Sequence, residues 1–129
     1  MLDHVSLGIA NLDRAGKFYD AALKPLGYKR VFDVPGYGFG YGASQGAPKF
    51  WIGPPLAKRR KPKACAGSHV AFQAETRKAV DAFYRAAIKA GGKDNGKPAL
   101  RPEYHANYYG AFVIDPEGHA IEACCHEPG

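Results

Sequence analysis

Residues 108–126 read YYGAFVIDPEGHAIEACCH, and this stretch decides the fold. Aromatic and β-branched residues flank a turn cluster, Asp115-Pro116-Glu117-Gly118, so the spacing predicts a strand over 110–114, a tight turn, and a returning strand over 119–125. Side chains alternate along a strand. Ala120, Glu122, Cys124 and His126 therefore share one face of the returning strand, and Ile121, Ala123 and Cys125 share the other. An ionised carboxylate in the middle of a strand is tolerated when it is paired or bound to a metal, so Glu122 requires a partner from elsewhere in the chain.

The chain has 129 residues, 46% of them hydrophobic, which suits one compact domain. No charged and apolar leader opens the sequence and no apolar run reaches the ~20 residues that span a bilayer, so a cytoplasmic protein without membrane contact is expected. The three cysteines, Cys65, Cys124 and Cys125, include two neighbours on opposite strand faces and form no CxxC pair. Free thiols are expected, with neither a disulfide framework nor a zinc ribbon. Much of the net charge of +6 sits in Lys58, Arg59, Arg60, Lys61 and Lys63. Pro54, Pro55 and Pro62 bracket this run and no aromatic residue interleaves it, so it reads as a solvated linker and not as a nucleic-acid surface.

Taken in order, residues 3–10 alternate polar and apolar like a half-buried strand, with His4, Ser6 and Gly8 opposite Val5, Leu7 and Ile9. Asn11 is a candidate helix N-cap. Ala15, Phe18, Tyr19, Ala22 and Leu23 then recur at helical spacing until Pro25 and Gly27 stop the helix. Short apolar pieces at 29–34, 37–43 and 49–52 alternate with Gly/Pro turns and predict three strands. The second half repeats this plan. Adding 65 carries His4-Val5 onto His69-Val70, Asn11 onto Thr76, Ala15 onto Val80, Phe18-Tyr19 onto Phe83-Tyr84, Ala22-Leu23 onto Ala87-Ile88 and Gly27 onto Gly92, without a gap. A strand near Ala99 and the 108–126 hairpin complete the second unit.

The expected fold is thus α+β: two βαβββ modules, 1–52 and 68–126, joined by a linker at 53–67 within a single domain 1–129, their curled mixed sheets enclosing a cup. In each module one strand face packs under the helix and the other is turned away from that core. His4, His69 and Glu122 fall on the helix-free faces. Two imidazoles and one carboxylate form the set that holds a divalent metal on one facial triangle and leaves positions open for substrate. Fe(II) or Mn(II) suits this set best, and Ni(II), Zn(II) and Co(II) also accept such ligands.

The module pattern, the HVSL and HVAF starts and the DPEGHAIE ending resemble the vicinal oxygen chelate superfamily, which includes glyoxalase I, extradiol dioxygenases and bleomycin-resistance proteins. The resemblance covers essentially the whole chain. It implies metal ligands on the first and fourth strands of each module, three of which are His4, His69 and Glu122, while Trp51 stands at the fourth position and cannot coordinate. It also implies His105 as a proton-handling base, with Phe112 where extradiol enzymes carry a signature tyrosine and Tyr104, Tyr108 or Tyr109 as the substitute hydroxyl. Tyr109 is therefore a catalytic candidate beside His105. Phe39, Tyr41, Trp51, Tyr104 and Tyr108 are candidate walls of a small-molecule site, and Gln73 and His126 candidate polar donors to the substrate. Members of this length commonly form homodimers, and if modules exchange partners, His4 of one chain meets His69 and Glu122 of the other.

Two functions from different classes lead, ahead of a third, a nucleic-acid or regulatory interaction module using the basic linker. The first is a divalent-metal-dependent lyase or dioxygenase of the glyoxalase kind, acting on a small substrate with vicinal oxygens. The alternative is a metal-free module that sequesters a small ligand, as bleomycin-resistance proteins do. The retention of two histidines and a glutamate favours the enzyme.

Overall fold

The structure, a computed structural model, describes residues 1–44, 46–55 and 61–129. Lys58, Arg59 and Arg60 of the basic linker lie outside the described residues. The first module runs β1 (Val5–Gly8), α1 (Leu12–Leu23), β2 (Lys29–Val34), β3 (Gly38–Gly42) and β4 (Phe50–Gly53). The second runs β5 (His69–Gln73), α2 (Arg77–Lys89), β6 (Lys93–Leu100), β7 (Tyr109–Ile114) and β8 (Ala120–Cys125). Each forms a four-stranded mixed sheet, ordered β1-β4-β3-β2 and β5-β8-β7-β6, with the first and fourth strands parallel and the others antiparallel. The two βαβββ modules expected from the sequence are present, and neither sheet closes on itself.

Both helices begin where the repeat places them. Asn11 and Thr76 hold extended backbones, and their side chains accept the N–H of Arg14 and Ala79 at 3.1 and 3.0 Å. Each cap satisfies a donor that the first helical turn leaves unpaired. The stripe Ala15, Phe18, Tyr19, Ala22 and Leu23 of α1 is buried, and so are Val80, Phe83 and Ala87 of α2. A 3-10 turn at Lys24–Leu26 and the left-handed Gly27 end the first helix. In the second module it is Gly91, one place before the match to Gly27, that takes the positive φ, while a side chain at Gly92 would strike Val113 and Phe18.

That contact shows how the modules meet. Phe18 of α1 and Val113 of β7 both close on Gly92, and Phe50 and Phe72 cross edge to face at 5.0 Å. Helices α1 and α2 also pack on each other, so a single hydrophobic cluster takes in both helices and the helix-bearing faces of both sheets. The DPEG turn fastens the arrangement. Glu117 accepts the N–H groups of Ala10 and Asn11 at 2.7 and 3.0 Å and the Arg14 guanidinium at 2.9 Å, which places a carboxylate at the N-terminus of α1. Burial raises the Glu117 pKa, but those three donors outweigh it and hold the group below the ordinary carboxylate value. Asp115, 3% exposed, accepts the Tyr19 hydroxyl at 2.5 Å, and His119 Nε2 donates to the Gly8 carbonyl at 2.9 Å. Among the described residues no helix is long and apolar enough to cross a membrane.

Candidate functional site

Strand register sorts the expected residues by face. Across the second sheet, Ala71 pairs with Glu122 and Glu122 with Phe112, while Gln73 pairs with Cys124 and Cys124 with Gly110. Paired residues point the same way, so His69, Glu122, Phe112, Cys124 and Gln73 occupy the face turned from α2. On the opposite face Ile121 and Ala123 are buried under the helix, as the alternation requires.

Glu122 is the centre of this face. It is 2% exposed, and both of its oxygens are engaged: Oε1 stands 3.1 Å from His69 Nε2, and Oε2 accepts a short hydrogen bond from the Tyr108 hydroxyl. Burial and the bond to Glu122 push the Tyr108 phenol well above its ordinary pKa, so the group stays protonated and donates. The side chain of His69 remains about half exposed, so the pair opens to solvent on the imidazole side.

A second group flanks the first. The Asn107 N–H donates to His105 Nδ1 at 3.1 Å, and since a backbone amide can only donate, Nδ1 carries no proton. His105 Nε2–H then donates to His126 Nδ1 at 2.8 Å, which leaves His126 Nε2–H directed at Cys124 Sγ, 3.9 Å away. Both nitrogens of His105 are therefore occupied, and His126 is the imidazole that leads toward the Glu122 face. Tyr104 and Tyr108 stack edge to face at 4.9 Å beside it, and Tyr104 is largely exposed. Burial raises the Cys124 pKa, and the thiol is neutral. All three cysteines are free.

Tyr109, Tyr41, Trp51 and Phe39 lie elsewhere, and so does His4; Phe39 pairs with Ile52 on the helix side of the first sheet and is 7% exposed. Tyr109 pairs with Cys125 on the helix side, where its hydroxyl donates to Asp81 of α2 at 2.6 Å; burial and that bond push it up to about 12. It braces α2 and does not reach Glu122. Tyr41 is likewise on the helix side, 1% exposed and bonded to Asp20 at 2.9 Å. Trp51 is on the open face of the first sheet, between Ser6 and Gly40 in register, and stacks on the half-exposed Phe32 at 6.1 Å. The guanidinium of Arg101, which the sequence did not single out, lies over Phe112 with its carbon 5.1 Å from the ring centroid.

His4 is not with Glu122. Its Nδ1 meets Asp3 Oδ1 at 2.6 Å, and the side chain is about half exposed. Among the described residues no group of three or more His, Cys, Asp or Glu side chains converges on one point. The reason lies in the packing: because the modules meet through their helix-bearing sides, their open faces turn away from the shared core, His4 with one sheet and His69 and Glu122 with the other. A cleft of about 410 Å³ at the β1–β5 seam, floored by Leu23, Phe50 and Phe72, carries His4, Lys49 and Gln73 in its lining.

The donors on the second sheet suit a divalent ion. An imidazole nitrogen and a carboxylate oxygen 3.1 Å apart have the separation of neighbouring ligands on an ion whose bonds are about 2.1 Å long. Tyr108 fixes the carboxylate from behind, as residues around metal ligands do. One chain thus offers two such donors, and a third is needed.

The family model for the glyoxalase/bleomycin resistance protein/dioxygenase superfamily matches residues 1–123. Among solved structures, a glyoxalase/bleomycin resistance protein from Albidiferax ferrireducens is 30% identical, with 95% of this chain and 97% of that chain covered and a TM-score of 0.84. A glyoxalase-related enzyme from Fulvimarina pelagi is similar at 18% identity, 97% and 87% coverage and a TM-score of 0.72. A glyoxalase/bleomycin resistance protein/dioxygenase family enzyme from Burkholderia phytofirmans is similar at 19% identity, with 98% of each chain covered and a TM-score of 0.72. No curated protein matches the sequence.

Proposed function

The chain belongs to the glyoxalase/bleomycin resistance protein/dioxygenase superfamily, and from that premise we propose that it is a divalent-metal-dependent enzyme acting on a small substrate with two neighbouring oxygens. The observation that carries this reading is the buried Glu122, held by Tyr108 on one oxygen and facing an open imidazole, His69, on the other. Both oxygens of this carboxylate have hydrogen-bonding partners, but Tyr108 is neutral and His69 half exposed, so a cation seated between His69 and Glu122 would add the compensating charge. His69 and Glu122 of one chain and His4 of a second copy would hold the ion, preferably Fe(II) or Mn(II). Phe32, exposed and stacked on the partly buried Trp51 of the sheet that carries His4, supports a homodimer, since an apolar open face gains by being covered.

When bound, the metal would supply Lewis acidity to the substrate's two oxygens. The chain's own residues do the rest. Tyr108 orients Glu122 through its hydrogen bond. Phe112 walls the site beside His69, its ring 6.4 Å from the imidazole. His126, whose Nδ1 accepts from His105, is placed to give up its Nε2 proton and to recover it afterwards. With phenylalanine at position 112, the hydroxyl nearest the carboxylate is Tyr108, and it is committed to Glu122. That commitment favours glyoxalase-like proton transfer over ring cleavage, which wants a free phenol beside the substrate.

Titrating the protein anaerobically with Mn(II), Fe(II), Ni(II), Zn(II) and Co(II) tests the reading. Stoichiometric binding is expected, weakened roughly tenfold in Tyr108→Phe, which removes the brace on Glu122 but keeps the ring. Absence of binding by all five ions would leave the ligand-sequestering function as the one to pursue.

A further inference from the structure

Arg101 stands at the mouth of the β6–β7 connection, its N–H donating to the Tyr108 carbonyl at 2.7 Å and its carbonyl accepting from Tyr104 at 3.0 Å. Its side chain turns back over the open face of the second sheet. Nη2 donates to the Lys97 carbonyl at 2.6 Å and, at a long 3.5 Å, to the Gly110 carbonyl, while the buried Nε has no acceptor and Nη1 makes no hydrogen bond among the described residues. The ion pairs of the described residues are made by His4, Arg14, Arg30 and His69, so no carboxylate lies within 4.0 Å of this guanidinium. A guanidinium is a permanent cation, and one left without a counter-charge beside a ligand pair is set to receive an anion.

The surroundings hold the group in place. Phe112, over which the guanidinium lies, pairs in register with Glu122 and meets the His69 ring edge to face. Opposite Phe112 stands Gly96 at φ 153°, where an added Cβ would lie 2.8 Å from Phe112 Cδ2 and 3.2 Å from Arg101 Nη2. Only a glycine leaves that space. The glycine, the ring and the cation form a cradle on the same face as His69 and Glu122.

We propose that Arg101 is the anion anchor of this site, and that the substrate carries an oxyanion terminus, carboxylate or phosphonate, on a short arm beyond the two oxygens directed at His69 and Glu122. The inference rests on the reading of the site given above and names its substrate class: small oxygen-rich acids in preference to neutral diols or catechols. The alternative role for Arg101, bracing the hairpin through the Lys97 and Gly110 carbonyls, predicts no dependence of ligand choice on its charge.

Calorimetric titration of the Mn(II)-loaded protein with three acids that share one chelating head tests it. These are 2-hydroxyglutarate, 2-hydroxy-4-phosphonobutyrate and the neutral-tailed 2-hydroxybutyrate. The wild type is expected to bind one of the two charged-tail acids about tenfold or more tightly than 2-hydroxybutyrate, and which of the two binds tighter tells carboxylate from phosphonate. In Arg101→Gln that preference should fall within about twofold, with Arg101→Lys in between and the affinity for Mn(II) unchanged in both. A preference that persists in Arg101→Gln, or none in the wild type for either charged tail, overturns the proposal. If Mn(II) does not bind, the metal reading fails by itself, and the same comparison on the metal-free protein still decides the role of Arg101.

Discussion

Glu122→Ala is expected to lower divalent-metal affinity by at least 100-fold and to leave the chain folded. The carboxylate supplies one of the two donors that stand together in one chain, and the remaining imidazole is too exposed and too weak a ligand alone to hold an ion. The substitution also frees the Tyr108 hydroxyl and His69 Nε2. Both lie at the open side of the sheet and can turn to water, so the loss in stability should stay near ~1 kcal/mol, offset in part by removal of a buried charge. Metal content of the purified variant, read beside its urea midpoint, checks both halves. Wild-type metal occupancy would remove Glu122 from the site, whereas unfolding would show the carboxylate to be a structural group.

Asp115→Ala should have the largest effect on stability, a loss of about 3–5 kcal/mol. Its carboxylate accepts three hydrogen bonds, from the Tyr19 hydroxyl at 2.5 Å, the Glu117 N–H at 2.8 Å and the His119 N–H at 2.9 Å. Tyr19 is wholly buried, and burial together with the charge of Asp115 raises its pKa strongly, so the phenol donates in every accessible state. Deleting the acceptor strands that hydroxyl among Phe18, Tyr41 and Phe50, where water does not reach. It also slackens the turn that carries Glu117 to the start of α1. Because the damage lies at the joint between modules, chemical denaturation should show the lower midpoint in signals from both halves at once. A loss under about 1 kcal/mol would mean that the turn holds its shape without the carboxylate.

The modules were legible because their determinants are local. A cap, a stripe at helical spacing and a stop recur 65 residues apart, and each works through neighbours in sequence, as the paired roles of Asn11 and Thr76 show. The face of Glu122 followed from alternation alone. The face of Tyr109 was open to the same argument: it pairs with Cys125, which alternation turns toward the helix, so its place under Asp81 was implied by the hairpin register. The turn residues 115–118 read only as a turn, since the groups that Asp115 and Glu117 bind lie in the first module, about a hundred positions away. How the two modules pack was equally hidden. It depends on Phe18 and Val113 meeting at Gly92, a three-body contact that no periodicity announces. Arg101 was missed for a related reason: a lone arginine in a loop gains meaning only once the chain folds it over Phe112.

Mixing two defective variants tests the proposed shared metal site most directly. His4→Ala and Glu122→Ala should each bind Mn(II) poorly alone. Co-refolded in equal amounts, they should recover roughly a quarter of the wild-type sites, because half the dimers formed are mixed and each mixed dimer has one intact site. Recovery near that level places His4 of one copy with His69 and Glu122 of another. Wild-type Mn(II) binding by His4→Ala alone, or no recovery on mixing, would contradict it.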